Sequence, residues 1–142
     1  MSKIKKINHV AIVVEHIEDA LTFWRDGLGL EIKQYKDVPE QESRVAFLPL
    51  GESEIELVEP TSDSSGVARY LKKRGPGMHH VCFEVEDIRD SLQQLNSKGF
   101  RLINDTPQVS DDGRKYLFVH PESTNGVLVE LYELPTDGQE SI

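Results

Sequence analysis

At 142 residues the chain has the length of one compact domain, enough to bury a core without disulfides or a structural metal. Its 25 acidic and 16 basic residues give a formal charge of −9, which disfavours the broad phosphate contacts of nucleic-acid binding and obliges any phosphate-bearing ligand to find a local basic patch. The single cysteine, Cys82, excludes an intramolecular disulfide, the opening Met-Ser-Lys-Ile-Lys-Lys lacks the apolar run of a signal peptide, and no stretch approaches the ~20 apolar residues of a membrane span. A soluble, cytoplasmic protein is expected, with neither nucleic acid nor membrane as partner.

The first predicted element is a strand at residues 7–14, entered by His9. Glu15 to Ile17 then lead into a helix whose apolar stripe is Ile17, Ala20, Leu21 and Trp24, and which stops at Gly27 to Gly29. A short strand is expected at residues 30–32. Strands at 44–50 and 55–58 follow, separated by the turn chemistry of Pro49-Leu50-Gly51-Glu52-Ser53. Residues 59–65 are polar and rich in turn formers, and 67–73 read as a short amphipathic helix ended by Arg74-Gly75-Pro76-Gly77.

The pattern then starts again. A strand at 78–85 is entered by His80, and a helix carries Ile88, Leu92 and Leu95 on one face and stops at Gly99. Strands are expected at 100–103, 115–120 and 127–131. His9 and His80, Ile17 and Ile88, and Leu21 and Leu92 are each 71 residues apart. The chain is therefore an internal duplication of a βαβββ unit, α+β in class. Its expected organisation is a single domain over 1–142: a first module at about 5–60, a connector at 61–77, a second module at about 78–134 and a fraying tail at 135–142.

Chemistry-bearing residues recur with the repeat. Because side chains alternate along a strand, His9, Ala11 and Val13 share one face, as do His80, Cys82 and Glu84 in the second copy. Each half also holds a carboxylate within an apolar strand: Glu56 in Ile55-Glu56-Leu57 and Glu130 in Val129-Glu130-Leu131. A charge buried there without a partner is costly. If the halves pair about a pseudo-twofold axis, two imidazoles and two carboxylates converge on one cavity, a donor set suited to Co, Ni, Mn, Fe or Zn.

Each residue taken singly has a plainer reading. A histidine at a strand start is usually a packing residue, and Glu56 and Glu130 could face solvent, as Glu54, Glu59 and Glu133 are expected to do. His79 has the wrong parity to join His80, His16 reads as a surface residue at a helix start, and His120 as a turn residue before Pro121. Cys82 reads as a small buried hydrophobe and Trp24 as core. The repeat favours the metal site, since four polar residues at two pairs of equivalent positions are hard to explain by packing.

A duplicated βαβββ unit with His, Glu, His and Glu at these positions resembles the vicinal oxygen chelate superfamily, the glyoxalase-like fold with a curved mixed β-sheet around a cavity. Further stretches are similar to the methylmalonyl-CoA epimerases: Val38-Pro39-Glu40-Gln41 with Arg44-Val45-Ala46-Phe47-Leu48-Pro49-Leu50-Gly51, Ile55 to Pro60, Tyr70 to His80, and His120-Pro121 followed by Gly126 to Leu131. The resemblance spans about residues 7–134.

It implies epimerisation at C2 of methylmalonyl-CoA by proton removal and return through an enolate. One divalent ion, with cobalt favoured, would be held by His9, Glu56, His80 and Glu130, and the protein would be a homodimer. Glu130 is the candidate base, and the second is unassigned. Several bacterial members carry glutamate where this chain has Val45, which leaves Glu40 and Glu42 as guesses for the other face. The family often has glutamine at the position of Glu56. Members also tend to show Pro-Lys where this chain has Pro121-Glu122, so Arg114 and Lys115 become the candidates for CoA phosphate contacts. The rival readings are a glyoxalase I type lactoylglutathione lyase, an epimerase or isomerase of another acyl-CoA, and a non-catalytic small-molecule binding module.

Overall fold

A computed structural model describes residues 2–135; the expected fraying tail lies, apart from Pro135, outside the described residues. The elements follow in the order β1 (Ile4–Val13), α1 (Ile17–Leu21), β2 (Gln34–Val38), β3 (Ser43–Leu50), β4 (Ser53–Pro60), α2 (Gly66–Arg74), β5 (Gly77–Val85), α3 (Ile88–Ser97), β6 (Gln108–Val109), β7 (Lys115–Val119) and β8 (Val129–Glu133). The described residues form two compact units: His9–His79 on one hand, and residues 2–8 with 80–135 on the other. β1 thus contributes its first residues to the second unit. No helix among the described residues is long and apolar enough to cross a membrane.

In the His9–His79 unit the strand order is β2-β3-β4-β1. β1 runs parallel to β4, and the other pairs are antiparallel. Ile17 and Leu21, one helical turn apart, are fully buried against Val14, Ala46, Leu48 and Leu57. The helix has no side-chain cap from His16. Instead Glu59, at the end of β4, accepts the Ile17 N–H at 2.6 Å, satisfying one of the orphan donors of the first turn. α1 widens into a π-helical turn over Thr22–Gly27, with Leu28 N–H donating to Phe23 O. Trp24 packs onto the core while Phe23 stays exposed.

Leu30 and Ile32 reach the same core but do not form the expected strand. The β2–β3 register pairs Gln34 with Phe47, so its extension would set Ile32 opposite Pro49, which has no N–H to offer a ladder.

The second unit repeats the plan, with β5 parallel to β8 and the order β5-β8-β7-β6. Ile88, Leu92 and Leu95 of α3 pack on Val85, Leu117, Val119 and Leu131. Asp87 caps α3 through Arg89 N and Asp90 N, and Glu133 accepts the Ile88 N–H at 2.9 Å, matching Glu59 in the other unit. Glu59 and Glu133, expected to face solvent, are therefore helix caps.

The expected strand at 100–103 shrinks to a bridge between Leu102 and Val119. Asn104 Oδ1 accepts the Phe118 N–H at 2.7 Å, taking a donor that a regular backbone ladder would have used. The fold is α+β, a tandem βαβββ arrangement of eight mixed strands.

Candidate functional site

Strand alternation gives the sheet of each unit two chemically different faces. In the His9–His79 unit one face packs under α1. The other carries His9 and Glu56 beside an apolar cluster of Ala11, Val45 and Val58, with Phe47, Val38 and Val67 against it. His9 is 1% exposed, and its Nδ1 lies 3.3 Å from Glu56 Oε2. The ladder sets Ala11 opposite Glu56, so the histidine meets the carboxylate diagonally across a methyl side chain that leaves them room.

The second unit repeats this geometry. His80 Nε2 is 3.0 Å from Glu130 Oε1, with the side chains 12% and 6% exposed. The ladder sets Cys82, fully buried, opposite Glu130. The thiol thus occupies the place of the Ala11 methyl, as its reading as a small buried hydrophobe anticipated.

Aromatic rings finish this face, with Phe118 edge-on to His80 at 5.6 Å and Tyr116 against both Phe118 and Tyr132. Sequence reasoning passed over these rings. The signal was available in strand parity, because Tyr116 and Phe118 alternate with the buried Leu117, and Tyr132 with Leu131. Glu84, also on this face, is buried and held by Asn8 Nδ2 at 3.3 Å and Lys5 Nζ at 3.8 Å.

The remaining candidates sit elsewhere. His79 packs against the Tyr70 ring, His16 is exposed at the start of α1, and His120 Nδ1 accepts the Glu122 N–H in the turn. Val45 is buried in the apolar cluster and can move no proton. Glu40 is exposed, and Glu42 accepts the Ser62 and Ser64 hydroxyls. Glu122 pairs with Arg101 at 2.8 Å. Arg114 pairs with Asp112 and covers the Tyr132 ring, and Lys115 pairs with Glu133.

An imidazole touching a carboxylate in each unit, with His9 and Glu130 buried and Glu56 and His80 half-buried, is a nitrogen and oxygen donor set that fits a divalent transition ion. It is also a place where a carboxylate can exchange a proton out of bulk water.

Residues 8–118 match the family model of the Glyoxalase/Bleomycin resistance protein/Dioxygenase superfamily, and the chain belongs to that superfamily. It is 37% identical over 130 residues to the mitochondrial methylmalonyl-CoA epimerase of Mus musculus, covering 91% of this chain and 73% of the mouse protein. It is 38% identical over 133 residues to an ethylmalonyl-CoA/methylmalonyl-CoA epimerase of Cereibacter sphaeroides, covering 92% and 99%. A solved methylmalonyl-CoA epimerase in complex with methylmalonyl-CoA and NH4+ superposes with a TM-score of 0.85 at 30% identity, over 94% of this chain and 97% of that one. Within the superfamily, the chain is a member of the methylmalonyl-CoA epimerases.

Proposed function

We propose that the chain interconverts the 2R and 2S forms of methylmalonyl-CoA, using one divalent ion held by His9, Glu56, His80 and Glu130. The observation that carries this reading is the recurrence of a histidine–glutamate contact at equivalent strand positions in both units, at 3.3 and 3.0 Å, each with one member buried. When bound, such an ion would supply Lewis-acid stabilisation of the negative charge that develops on the thioester oxygen.

The chain's own groups do the rest. Glu130, 5% exposed, takes the C2 proton onto a carboxylate oxygen, and the electron pair left at C2 delocalises into the thioester carbonyl as an enolate. Return of a proton to the opposite face completes the inversion, and it needs a second acid, a water or a group not yet assigned. The Phe118 ring stands edge-on to His80 at 5.6 Å and Glu130 is 5% exposed, a setting with less water than bulk in which charge interactions are stronger. Arg114 and Lys115, the sequence candidates for the CoA phosphates, would have to leave Asp112 and Glu133 to reach them.

The test is NMR of methylmalonyl-CoA with the protein in D2O, cobalt-loaded and chelated. Metal-dependent entry of deuterium at C2 with racemisation of a single epimer is expected. Bound metal without exchange would overturn the assignment and turn attention to glutathione hemithioacetals and other acyl-CoAs.

A further inference from the structure

Inversion at C2 needs a proton carrier on each side of the carbon, and Glu130 supplies one. Strand parity places six chemistry-bearing side chains of β5, β7 and β8 on the face that holds it: His80, Cys82, Glu84, Tyr116, Glu130 and Tyr132. His80 faces Glu130 itself at 3.0 Å. Cys82 is fully buried, Glu84 is held by Asn8 and Lys5, and Arg114 covers the Tyr132 ring. Tyr116 remains, half-buried on β7 with its ring edge-on to Phe118 at 6.3 Å.

The repeat points to the same position. Val45 and Tyr116 are 71 residues apart, the offset that relates His9 to His80. In each unit a phenylalanine stands opposite the glutamate, Phe47 for Glu56 and Phe118 for Glu130, and Val45 or Tyr116 comes two residues before it. The first copy fills that position with a buried valine, which moves no proton. The second fills it with a phenol, whose O–H can both give up a proton and accept one. Tyr116 pairs with Tyr132 in the ladder and so lies diagonal to Glu130. Diagonal neighbours of an antiparallel pair are about 7–8 Å apart and within reach of aromatic side chains. A carbon between two such residues can sit at hydrogen-bond reach, about 3 Å, from a carrier on either side.

We propose that Tyr116 is the second proton carrier of the epimerisation. Glu130 breaks the C2–H bond and keeps the proton, leaving the electron pair in the enolate. The pair returns to C2 and forms the new C–H bond with the proton of the Tyr116 hydroxyl, whose O–H electrons stay behind as phenolate. Water then carries a proton from Glu130 to the phenolate and resets both groups. In the reverse direction the phenolate is the base and Glu130 the acid. This rests on the epimerase reading above and assigns the acid that reading left open.

Tyr116→Phe tests it, because the substitution removes the phenol oxygen and keeps the ring. Each epimer is supplied separately in D2O, deuterium at C2 is followed by NMR, and configuration by a coupling enzyme that consumes one epimer. The unmodified chain should exchange and invert both. In Tyr116→Phe inversion should fall by about a hundredfold. The epimer whose C2 proton faces Glu130 should still take up deuterium with retention, and the other should become inert. Thermal melts with and without cobalt should match those of the parent, and Tyr132→Phe should exchange and invert as the parent does. The assignment is overturned by an unchanged ratio of inversion to exchange in Tyr116→Phe, by equal loss of both for the two epimers, or by the split appearing in Tyr132→Phe instead; each of these leaves the epimerase reading intact. Absence of exchange for either epimer in the unmodified, cobalt-loaded chain would sink that reading and the assignment with it.

Discussion

Replacing His80 with alanine separates a metal-holding histidine from a packing one. For 142 residues the entropy of unfolding is about 0.3 kcal/mol/K at the midpoint. A divalent ion supplied at a hundred times its Kd adds about 2.7 kcal/mol to the folded state, which corresponds to about 9 °C in Tm. The substitution removes the imidazole 3.0 Å from a carboxylate that is 6% exposed. Losing that contact costs about 1–3 kcal/mol, so the metal-free variant should melt about 3–10 °C below the metal-free parent. Thermal melts of both proteins with cobalt and with EDTA measure each term. The parent should gain its shift from cobalt and the variant should gain almost none, with C2 exchange lost alongside. An upward shift in His80→Ala equal to that of the parent would refute the ligand role, whatever the variant's baseline.

Glu59→Ala and Glu133→Ala each remove a carboxylate that accepts the first helical N–H of α1 or α3. Each should cost about 1 kcal/mol in urea unfolding, and the double variant about the sum, since the caps lie in different units. Ser43→Ala should change stability by less than about 0.5 kcal/mol or raise it, because the buried Ser43 hydroxyl has no hydrogen-bond partner to lose among the described residues and an unmade bond only costs; a larger loss would mean that a hidden partner exists. Desolvation, reinforced by the charge and hydrogen bond of Glu18, raises the Tyr35 phenol above its ordinary value. The folded state therefore favours the neutral phenol, so its contribution is fully present below the unfolded pKa and is lost as pH rises through the folded one. Phenolate absorbance of the parent minus that of Tyr35→Phe should titrate later in the folded protein than in urea; coincident curves would remove the effect.

The sequence by itself determined the duplication, because a 71-residue offset links residues whose roles follow from strand and helix periodicity. That His9, Glu56, His80 and Glu130 would each meet another polar group was legible for the same reason: polar residues in apolar strands at equivalent positions must find partners. Leu30, Ile32 and Leu102 were correctly apolar and core-facing, but periodicity cannot report whether a neighbouring strand has an N–H to share. Pro49 and the Asn104 side chain decided that. Glu59 and Glu133 looked like surface carboxylates because a helix cap supplied from a strand end far along the chain leaves no local sequence signature. The pairing of Arg114 with Asp112 and of Lys115 with Glu133 was likewise settled only by tertiary structure. Charge can be counted along a chain, but whether a cation is spent on a neighbour depends on which side chains folding brings within about 4 Å.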